Sequence, residues 1–328
     1  MPSISGAASY VDAIRGPNLP HAVLLLAGFV VLVTVPAVLL WGAAGLLAAP
    51  ALLVLISGVA IRMPPDAVMR LYQATLVPRD DSQLASLMDV LAYRAELPRR
   101  PDLYVIPSLT LNAFAAGSRD HSAIAVTEGL LRRLTLAETA GVLAHEVAHI
   151  RNNDLLVMGL ADVITRVLQL MSYAALGLAL YNGLAFLTGE DPISWWVVLA
   201  LYLAPALSSL LQLGLSRARE FQADADAAAL TGDPQALASA LRRLETYTGH
   251  FWEDLMFPVP GRRVPHPSLL RSHPETEDRI QRLLALKTAS SGSAWHAPLV
   301  IVEQPMVSLV GYGPGDMRPR YRWPGLWF

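Results

Sequence analysis

A run of 40 residues without a charged side chain, Ala22 to Ile61, is the first constraint on how this chain folds. A helix that crosses a bilayer needs about 20 consecutive apolar residues, so the run is long enough for two such helices. Trp41-Gly42 and the segment from Gly45 to Pro50 are typical of a turn near its middle. The run therefore predicts a transmembrane hairpin over residues 21–63, in preference to a buried soluble helix pair or a cleaved signal peptide.

A second pair of apolar stretches follows, from Val167 to Gly189 and from Pro192 to Ser216, with two acidic residues in the short connection between them. They predict a second hairpin within residues 155–215, which gives about four transmembrane helices in total. Residues 155–166 contain charges at helical spacing. We expect these first turns to lie outside the lipid, within the soluble part of the protein.

The composition supports a membrane protein and excludes several other classes. Only 16% of the 328 residues are charged, whereas soluble globular proteins usually contain about 25%. A net charge of −2 gives no electrostatic basis for binding nucleic acid. The chain has no cysteine, which excludes a disulfide scaffold, thiolate metal ligands and a cysteine nucleophile.

The placement of arginine predicts the orientation of the hairpins. Their internal connections contain no Lys or Arg, whereas the segments at their other ends contain many. We expect the protein to lie in the inner (cytoplasmic) membrane. By the positive-inside rule, both termini and the polar segments should be on its cytoplasmic side. The arginines concerned are Arg62, Arg70, Arg79, Arg94, Arg99, Arg100, Arg132, Arg133, Arg151, Arg217 and Arg219.

Hydrophobic periodicity outlines the polar segments. It predicts a helix over Asp80–Leu97 and another over Thr135–Ile150, the second opened by a capping box of Thr135 and Glu138. Two short strands are predicted at Leu103–Ile106 and Ser122–Thr127, with an extended apolar segment between them. The polar segments are therefore expected to form a mixed helix and strand domain.

The predicted helix Thr135–Ile150 contains a pattern that is typical of a zinc site. His145 and His149 are one turn apart, so both imidazoles project from one face and are able to bind one Zn²⁺. Glu146 lies about 100° around the helix, where its carboxylate is able to take a proton from a metal-bound water. The alternative is a polar helix face with two ordinary histidines. Since the helix is otherwise apolar, a metal would remove the energetic cost of burying these groups.

A catalytic zinc needs a third protein ligand and one open position. Glu220 and Asp224 lie one turn apart on the helix predicted after the second hairpin. Glu220 is the candidate third ligand, and Asp224 would accept a hydrogen bond from the other ring nitrogen of a zinc-bound histidine. The residues alone are equally compatible with a solvated acidic face balanced by Arg217 and Arg219. Asp226 is an alternative partner for a histidine.

Five sequence blocks, in this order, resemble those of HtpX-type membrane zinc metalloproteases, which are relatives of the CAAX prenyl proteases. The blocks are Asn112-Ala113-Phe114-Ala115-Ala116-Gly117, Ala125 to Leu131, His145 to Asp154, Ser216 to Asp224, and Ser272-His273-Pro274 with Arg279-Ile280. The resemblance implies an α+β zincin (gluzincin) catalytic domain, mainly helical, combined with a multi-pass α-helical membrane domain.

The same resemblance implies roles for individual residues. It implies one Zn²⁺ per subunit with His145, His149 and Glu220 as ligands, and Glu146 as the catalytic base. It places Asp224 and Arg279 beside the ligands. His273 would stabilise the oxyanion, the alternative being a surface His-Pro turn. Residues Asn112, Ala113, Phe114 and Ala115 would form a strand that pairs with an extended substrate.

The resemblance also implies a function. We expect a zinc metalloendopeptidase that cuts misfolded or membrane-associated proteins on the cytoplasmic side, as part of quality control in the stress response. Its partners would be polypeptide substrates and the lipid bilayer, with no nucleic acid. Two alternatives remain open: a catalytically inactive membrane scaffold or regulator, and a zinc hydrolase that acts on lipid or another non-peptide substrate.

These expectations divide the chain into six parts. We expect a cytoplasmic N-terminal segment at 1–20, transmembrane hairpins at 21–63 and 155–215, a catalytic domain made of 64–154 and 216–287, and a C-terminal extension at 288–328.

Overall fold

The computed structural model describes residues 18–60, 64–79, 83–255, 276–289 and 299. Its elements are α1 (Asn18–Trp41), α2 (Ala43–Ala60), α3 (Pro65–Leu71), β1 (Thr75–Leu76), α4 (Gln83–Arg94), β2 (Asp102–Ile106), β3 (Ala113–Gly117), β4 (Ser122–Thr127), α5 (Glu128–Arg133), α6 (Leu136–Arg151), α7 (Asp154–Thr188), α8 (Trp195–Thr231), α9 (Pro234–Leu255) and α10 (Thr276–Ala289). The predictions for His273 and for nearly all of the extension 288–328 lie outside these residues.

The described residues separate into two compact units. A mixed unit contains residues 64–155 and those from 219 onward, and a helical unit contains residues up to 60 together with 156–218. The second segment of the helical unit is therefore inserted, in sequence, into the mixed unit.

In the helical unit, α1 and α2 meet at Gly42, which has a φ of +59°. Glycine has no Cβ, so it adopts this left-handed conformation without the steric cost that other residues have. The break falls within the turn region that the sequence predicts between the first two apolar helices.

The core of the helical unit includes the first turns of α7. Ala161, Ile164 and Leu168 are buried in one cluster with Phe29 of α1 and Leu215 of α8. Residues 156–166 therefore pack with the helical unit and not, as expected, with the mixed unit, and their position outside the lipid stays a prediction. Their apolar side chains recur every three or four residues and so share one face of the helix, which packs into this core.

Two of the described helices, α7 and α8, are long and apolar enough to cross a membrane. The apolar part of α1 found among the described residues, Ala27–Leu39, is shorter than a span. The second predicted hairpin therefore corresponds to two helices of sufficient length, and their crossing of a membrane stays a prediction, whereas the total of four spans is not confirmed.

The mixed unit is built on a four-stranded sheet in the order β1-β2-β4-β3. β2 and β4 run parallel, and the other neighbouring pairs are antiparallel. β4 has all its residues buried at the centre of the unit. β3, which contains the predicted substrate strand, is the last strand in this order.

Helix α6 passes through the core of the mixed unit. The capping box predicted from Thr135 and Glu138 is present at its start. The helix packs against α4, α9 and the sheet, and most of its residues are buried. A Cβ on Gly141 would lie 3.0 Å from the Leu237 backbone, so glycine permits the close approach of α9. The predicted metal-binding residues therefore lie on a helix held on several sides.

Thr127 connects two of the sequence blocks. Its Oγ1 accepts hydrogen bonds from the backbone N–H of Leu130, which caps α5, and from that of Asn112 at the start of β3. The Thr127 backbone N–H in turn donates to the Asn112 carbonyl, at 2.9 Å. One threonine thus fixes the position of Asn112 relative to β4.

Candidate metal centre

Three predicted ligands meet in the mixed unit. One ligand atom each of His145, His149 and Glu220 lies within 4.8 Å of the other two. The two Nε2 atoms are 3.1 Å apart, and the Glu220 oxygens lie 3.3 Å from Nε2 of His145 and 3.5 Å from Nε2 of His149. Helix α6 supplies the histidines, one turn apart, and α8 supplies the carboxylate.

The other nitrogen of each histidine faces a carboxylate. Nδ1 of His145 lies 3.0 Å from Asp224 Oδ1, and Nδ1 of His149 lies 2.8 Å from Asp154 Oδ2. A carboxylate accepts hydrogen bonds, so each Nδ1 carries a proton, and in the neutral imidazole that binds a metal each Nε2 then presents a lone pair.

This arrangement fits a zinc ion. Two lone pairs and a carboxylate facing one another in a buried space repel each other unless a cation lies among them. Tetrahedral ligands at zinc bond lengths of about 2.0–2.1 Å are about 3.3 Å apart. The distance between the two Nε2 atoms, 3.1 Å, and the distances of 3.3 and 3.5 Å from each of them to one of the two Glu220 oxygens, are close to that value.

Two arginines balance the carboxylates. Arg279 of α10 donates from Nε and Nη2 to the two oxygens of Asp224, each at 2.7 Å, and its Nη1 lies 3.2 Å from Glu220. Arg219 of α8 lies 2.9 Å from Asp154. Together with Glu146, the site has four carboxylates and two guanidinium groups. Its formal charge of −2 matches a divalent cation.

The pKa values follow from burial and these charges. Burial lowers the pKa of His145, but Asp224 and Glu220 outweigh it and the net shift is upward. Burial also lowers the pKa of His149, yet Asp154 and Glu220 hold it well above the usual value. Burial raises the pKa of Asp224, and Arg279 more than reverses that effect. The Asp224 carboxylate is therefore ionised and is able to orient His145.

Glu146 is buried beside the site. It follows His145 on α6, and only 4% of its surface is exposed. Its charge contributes, after Asp224 and Glu220, to raising the pKa of Arg279 against the lowering effect of burial. A carboxylate at this place is available as a proton acceptor.

The structure distinguishes the two acidic residues considered as partners for a histidine. Asp226 contacts Arg151 at 2.6 Å and Asn152 at 2.8 Å, not a ligand histidine. It is about 200° around the helix from Asp224 and so faces another side of α8. Asp224 is the residue that faces His145.

Asp154 is a site residue that the sequence reasoning missed. It is the last residue of the block His145 to Asp154 and the first residue of α7. That block was a signal, but it did not show which histidine the carboxylate would reach.

The predicted substrate strand lies next to the helix that contains the histidines, since α6 packs against β3. Asn112 is buried, and its Oδ1 has no hydrogen-bond partner among the described residues. Phe114 packs against Tyr72, with ring centroids 5.0 Å apart. A buried oxygen without a partner is energetically costly, so the Asn112 Oδ1 is available to accept a hydrogen bond.

Residues 78–287, more than half of the chain, match the model of peptidase family M48. The chain belongs to peptidase family M48. Among curated relatives of this M48 chain, the protease HtpX homologue of Acaryochloris marina is 44% identical over 229 residues, which are 66% of this chain and 76% of the relative. The HtpX homologue of Pyrococcus furiosus is 37% identical over 227 residues, 66% of this chain and 78% of the relative.

A solved structure is also similar to this M48 chain. The crystal structure of S. mikatae Ste24p aligns with a TM-score of 0.46 and 21% identity. The alignment covers 84% of the M48 chain and 64% of Ste24p, so the chain spans less than two thirds of that protein.

The family assignment confirms the resemblance to HtpX-type proteases and the prediction of a metalloprotease. M48 metalloproteases are zinc-dependent, and the cluster of His145, His149 and Glu220 is able to hold a metal. The roles of the individual residues stay predictions.

Proposed function

We propose that this M48 peptidase is a membrane-embedded zinc endopeptidase that cuts misfolded or membrane-associated proteins on the cytoplasmic side. One Zn²⁺ per subunit would be bound by His145, His149 and Glu220. The observation that carries this proposal is the set of three acceptor atoms that face one another within 4.8 Å. Each imidazole is held by a carboxylate, with its lone pair directed at the other ligands.

The mechanism assigns the following roles. When bound, zinc lowers the pKa of a water molecule and polarises the peptide carbonyl. Glu146 accepts the proton of the attacking water and passes it to the leaving amine. Asp224 and Asp154 keep the imidazoles of His145 and His149 in the orientation required for binding. His273, outside the described residues, donates a hydrogen bond to the oxyanion.

The substrate backbone would pair with β3. The strand comes last in the sheet order, and an extended peptide is able to add to such an edge. The Asn112 side chain would accept a hydrogen bond from a substrate N–H through its buried Oδ1. Ala113, Phe114 and Ala115 would contact the peptide along the same strand.

The membrane location is supported by the exposed surface of the helical unit. Leu180, Phe186 and Leu187 of α7 are 77%, 85% and 80% exposed. Apolar exposure of this extent is expected of side chains that face lipid. In sequence, His149 lies seven residues before the inserted helical segment and Glu220 lies two residues after it. Chain segments this short favour substrates that are themselves close to the membrane.

Substitution of Glu146 by Gln tests the proposal. It removes the base while keeping the size of the side chain, so the rate should fall by about 10²–10⁴-fold with bound zinc unchanged. The substrates are casein and an unfolded membrane protein, with the purified full-length chain in detergent. Glu245→Gln, an exposed change on α9, is the control and should cleave like the wild type.

Two results would contradict the proposal. If Glu146→Gln and wild type cleave at the same measurable rate, hydrolysis does not use this site. If the zinc-loaded wild type cleaves neither substrate, the inactive scaffold or the lipid hydrolase becomes the better description, and a lipid substrate separates these two.

A further inference from the structure

The metal centre contains two parallel chains of contacts, and only one of them was expected. In the first, His145 contacts Asp224, which contacts Arg279. In the second, His149 contacts Asp154, which contacts Arg219. We propose that Asp154 and Arg219 are positioning residues, which orient His149 and keep it aligned with Glu220. This inference rests on the zinc site proposed above.

The Asp154 carboxylate is held from two directions. Its Oδ2 lies 2.8 Å from His149 Nδ1, and its Oδ1 lies 2.9 Å from Arg219 Nη1. Asp154 is only 1% exposed, so water does not replace either contact. Rotation of the carboxylate would break one of the two contacts, so the carboxylate keeps its orientation. The contact with Nδ1 in turn restricts rotation of the His149 ring.

The backbone before Asp154 brings it back to His149. Helix α6 ends at Arg151, and Asn153 has a φ of +56° in the left-handed region. Asparagine adopts this conformation more readily than most residues. The turn redirects the chain at the start of α7, so that Asp154 lies beside the last turn of α6, where His149 is. The left-handed turn at Asn153 is thus what allows Asp154 to contact His149.

Arg219 connects the same contact to the third ligand. It precedes Glu220 on α8 and is separated from Asp154 by the inserted helical segment 156–218. Asp154 and Arg219, which flank the insertion in sequence, thus form an ion pair. Asp154 contacts His149, which precedes the insertion, and Arg219 is the neighbour in sequence of Glu220, which follows it. Loss of the pair should therefore loosen the ligand set.

A neighbouring ion pair provides a matched control. Asp226 is also buried, at 3% exposed, and pairs with Arg151 at 2.6 Å and with Asn152 at 2.8 Å. It joins α8 to the end of α6 but does not contact a ligand histidine. Neutralising Asp226 should affect stability as neutralising Asp154 does, without acting on the metal through a histidine.

The test measures the affinity of the metal-free full-length chain in detergent for Zn²⁺, by competition with a chromophoric chelator. We expect Asp154→Asn to weaken binding about 10–100-fold, as is typical of partners that orient ligands. The Zn²⁺ affinity of Asp226→Asn should stay within about 3-fold of that of the wild type, because this change removes no residue that orients a ligand histidine. Glu220→Ala serves as the reference for the loss of a ligand.

A second variant and a second signal keep the test independent of folding. Arg219→Gln leaves the contact between His149 and Asp154 in place and should weaken binding by about 10-fold, the low end of such effects. The visible absorption of Co²⁺ bound at the site should change in Asp154→Asn and stay as in wild type in Asp226→Asn. Thermal unfolding in chelator establishes that each metal-free variant is folded.

The outcomes separate this inference from the proposed function. Wild-type Zn²⁺ affinity and an unchanged Co²⁺ spectrum in Asp154→Asn would overturn it, as would equal weakening in Asp226→Asn. Wild-type affinity in Arg219→Gln would remove Arg219 from it. If wild type binds Zn²⁺ no better than Glu220→Ala, the zinc site itself fails.

Discussion

At the scale of single residues, Arg279 shows how the site tolerates several buried carboxylates. It is 3% exposed and donates to both oxygens of Asp224, with its remaining nitrogen near Glu220. Buried charges are stable only when they are paired and hydrogen-bonded. Because Arg279 contacts both of these residues, we expect it to act by positioning them.

Asn112 gives a prediction at this scale. Its buried Oδ1 lacks a partner among the described residues, and a substrate N–H would supply one. Asn112→Ala should therefore lower kcat/KM by about 5–150-fold, equivalent to about 1–3 kcal/mol of a buried hydrogen bond. The measurement is steady-state cleavage of a fluorogenic peptide, with bound zinc determined in parallel. A kcat/KM equal to that of wild type, or a loss of zinc, would contradict a role in substrate binding.

The histidine partners show what the sequence predicts at this scale and what it does not. Glu220 and Asp224 are one turn apart, so helical geometry alone places them on one face. Helical geometry also separates Asp226 from that face, but without contacts it could not decide which face meets His145. Asp154 depends on the left-handed turn at Asn153, and a single sequence does not reveal that turn.

At the scale of secondary structure, the start of α6 determines how firmly the histidines are held. Thr135 accepts from the Glu138 N–H, and the Glu138 carboxylate accepts from the Thr135 N–H and contacts Arg243 and Ser239. The start of α6 and helix α9 therefore meet at one helix terminus, and α6 is stabilised at the end opposite to its ligands.

Thr135→Ala tests this contribution. Loss of an N-cap side chain costs about 0.5–2 kcal/mol, so the free energy of unfolding should fall by about that amount. Thr246→Ala on α9, where an exposed hydroxyl bonds within its own helix, should change it by less than about 0.5 kcal/mol. Denaturant unfolding of the metal-free protein gives both values. Equal effects of the two substitutions would show that the cap does not stabilise α6.

The elements that the sequence predicts are those with strong local signals. β4 occupies the predicted Ser122–Thr127, and α6 begins after the predicted cap. β1 has only two residues and is defined by its pairing with β2, so no local pattern indicates it. α5 is six residues long and depends on Thr127 of the preceding strand. Such short elements follow from tertiary contacts.

At the scale of the whole molecule, the chain leaves the mixed unit after Leu155 and returns at Arg219, yet every proposed ligand belongs to that unit. The sequence indicates this return, because it predicts that the two apolar helices form a hairpin whose ends meet on one membrane face. The first predicted hairpin has less support, because only α7 and α8 among the described helices meet the length and composition of a span.

The orientation of the second hairpin provides the last prediction, and the cysteine-free sequence makes it simple to test. Two variants each carry a single cysteine, which is then the only thiol in the protein. One replaces Glu190, between α7 and α8, and the other replaces Asp120, between β3 and β4; both positions are exposed. The connection at Glu190 has no Lys or Arg, whereas the mixed unit has many arginines. By the positive-inside rule, Glu190 should lie outside and Asp120 in the cytoplasm.

In right-side-out membrane vesicles, a membrane-impermeant maleimide should therefore label Glu190→Cys directly and Asp120→Cys only after the vesicles are opened. The unchanged chain measures background labelling, and cleavage of casein by each variant shows that it is folded. The reverse pattern would place the metal centre outside the cytoplasm. Labelling of both positions from the same side would mean that α7 does not cross the bilayer, because Asp120 precedes α7 and Glu190 follows it.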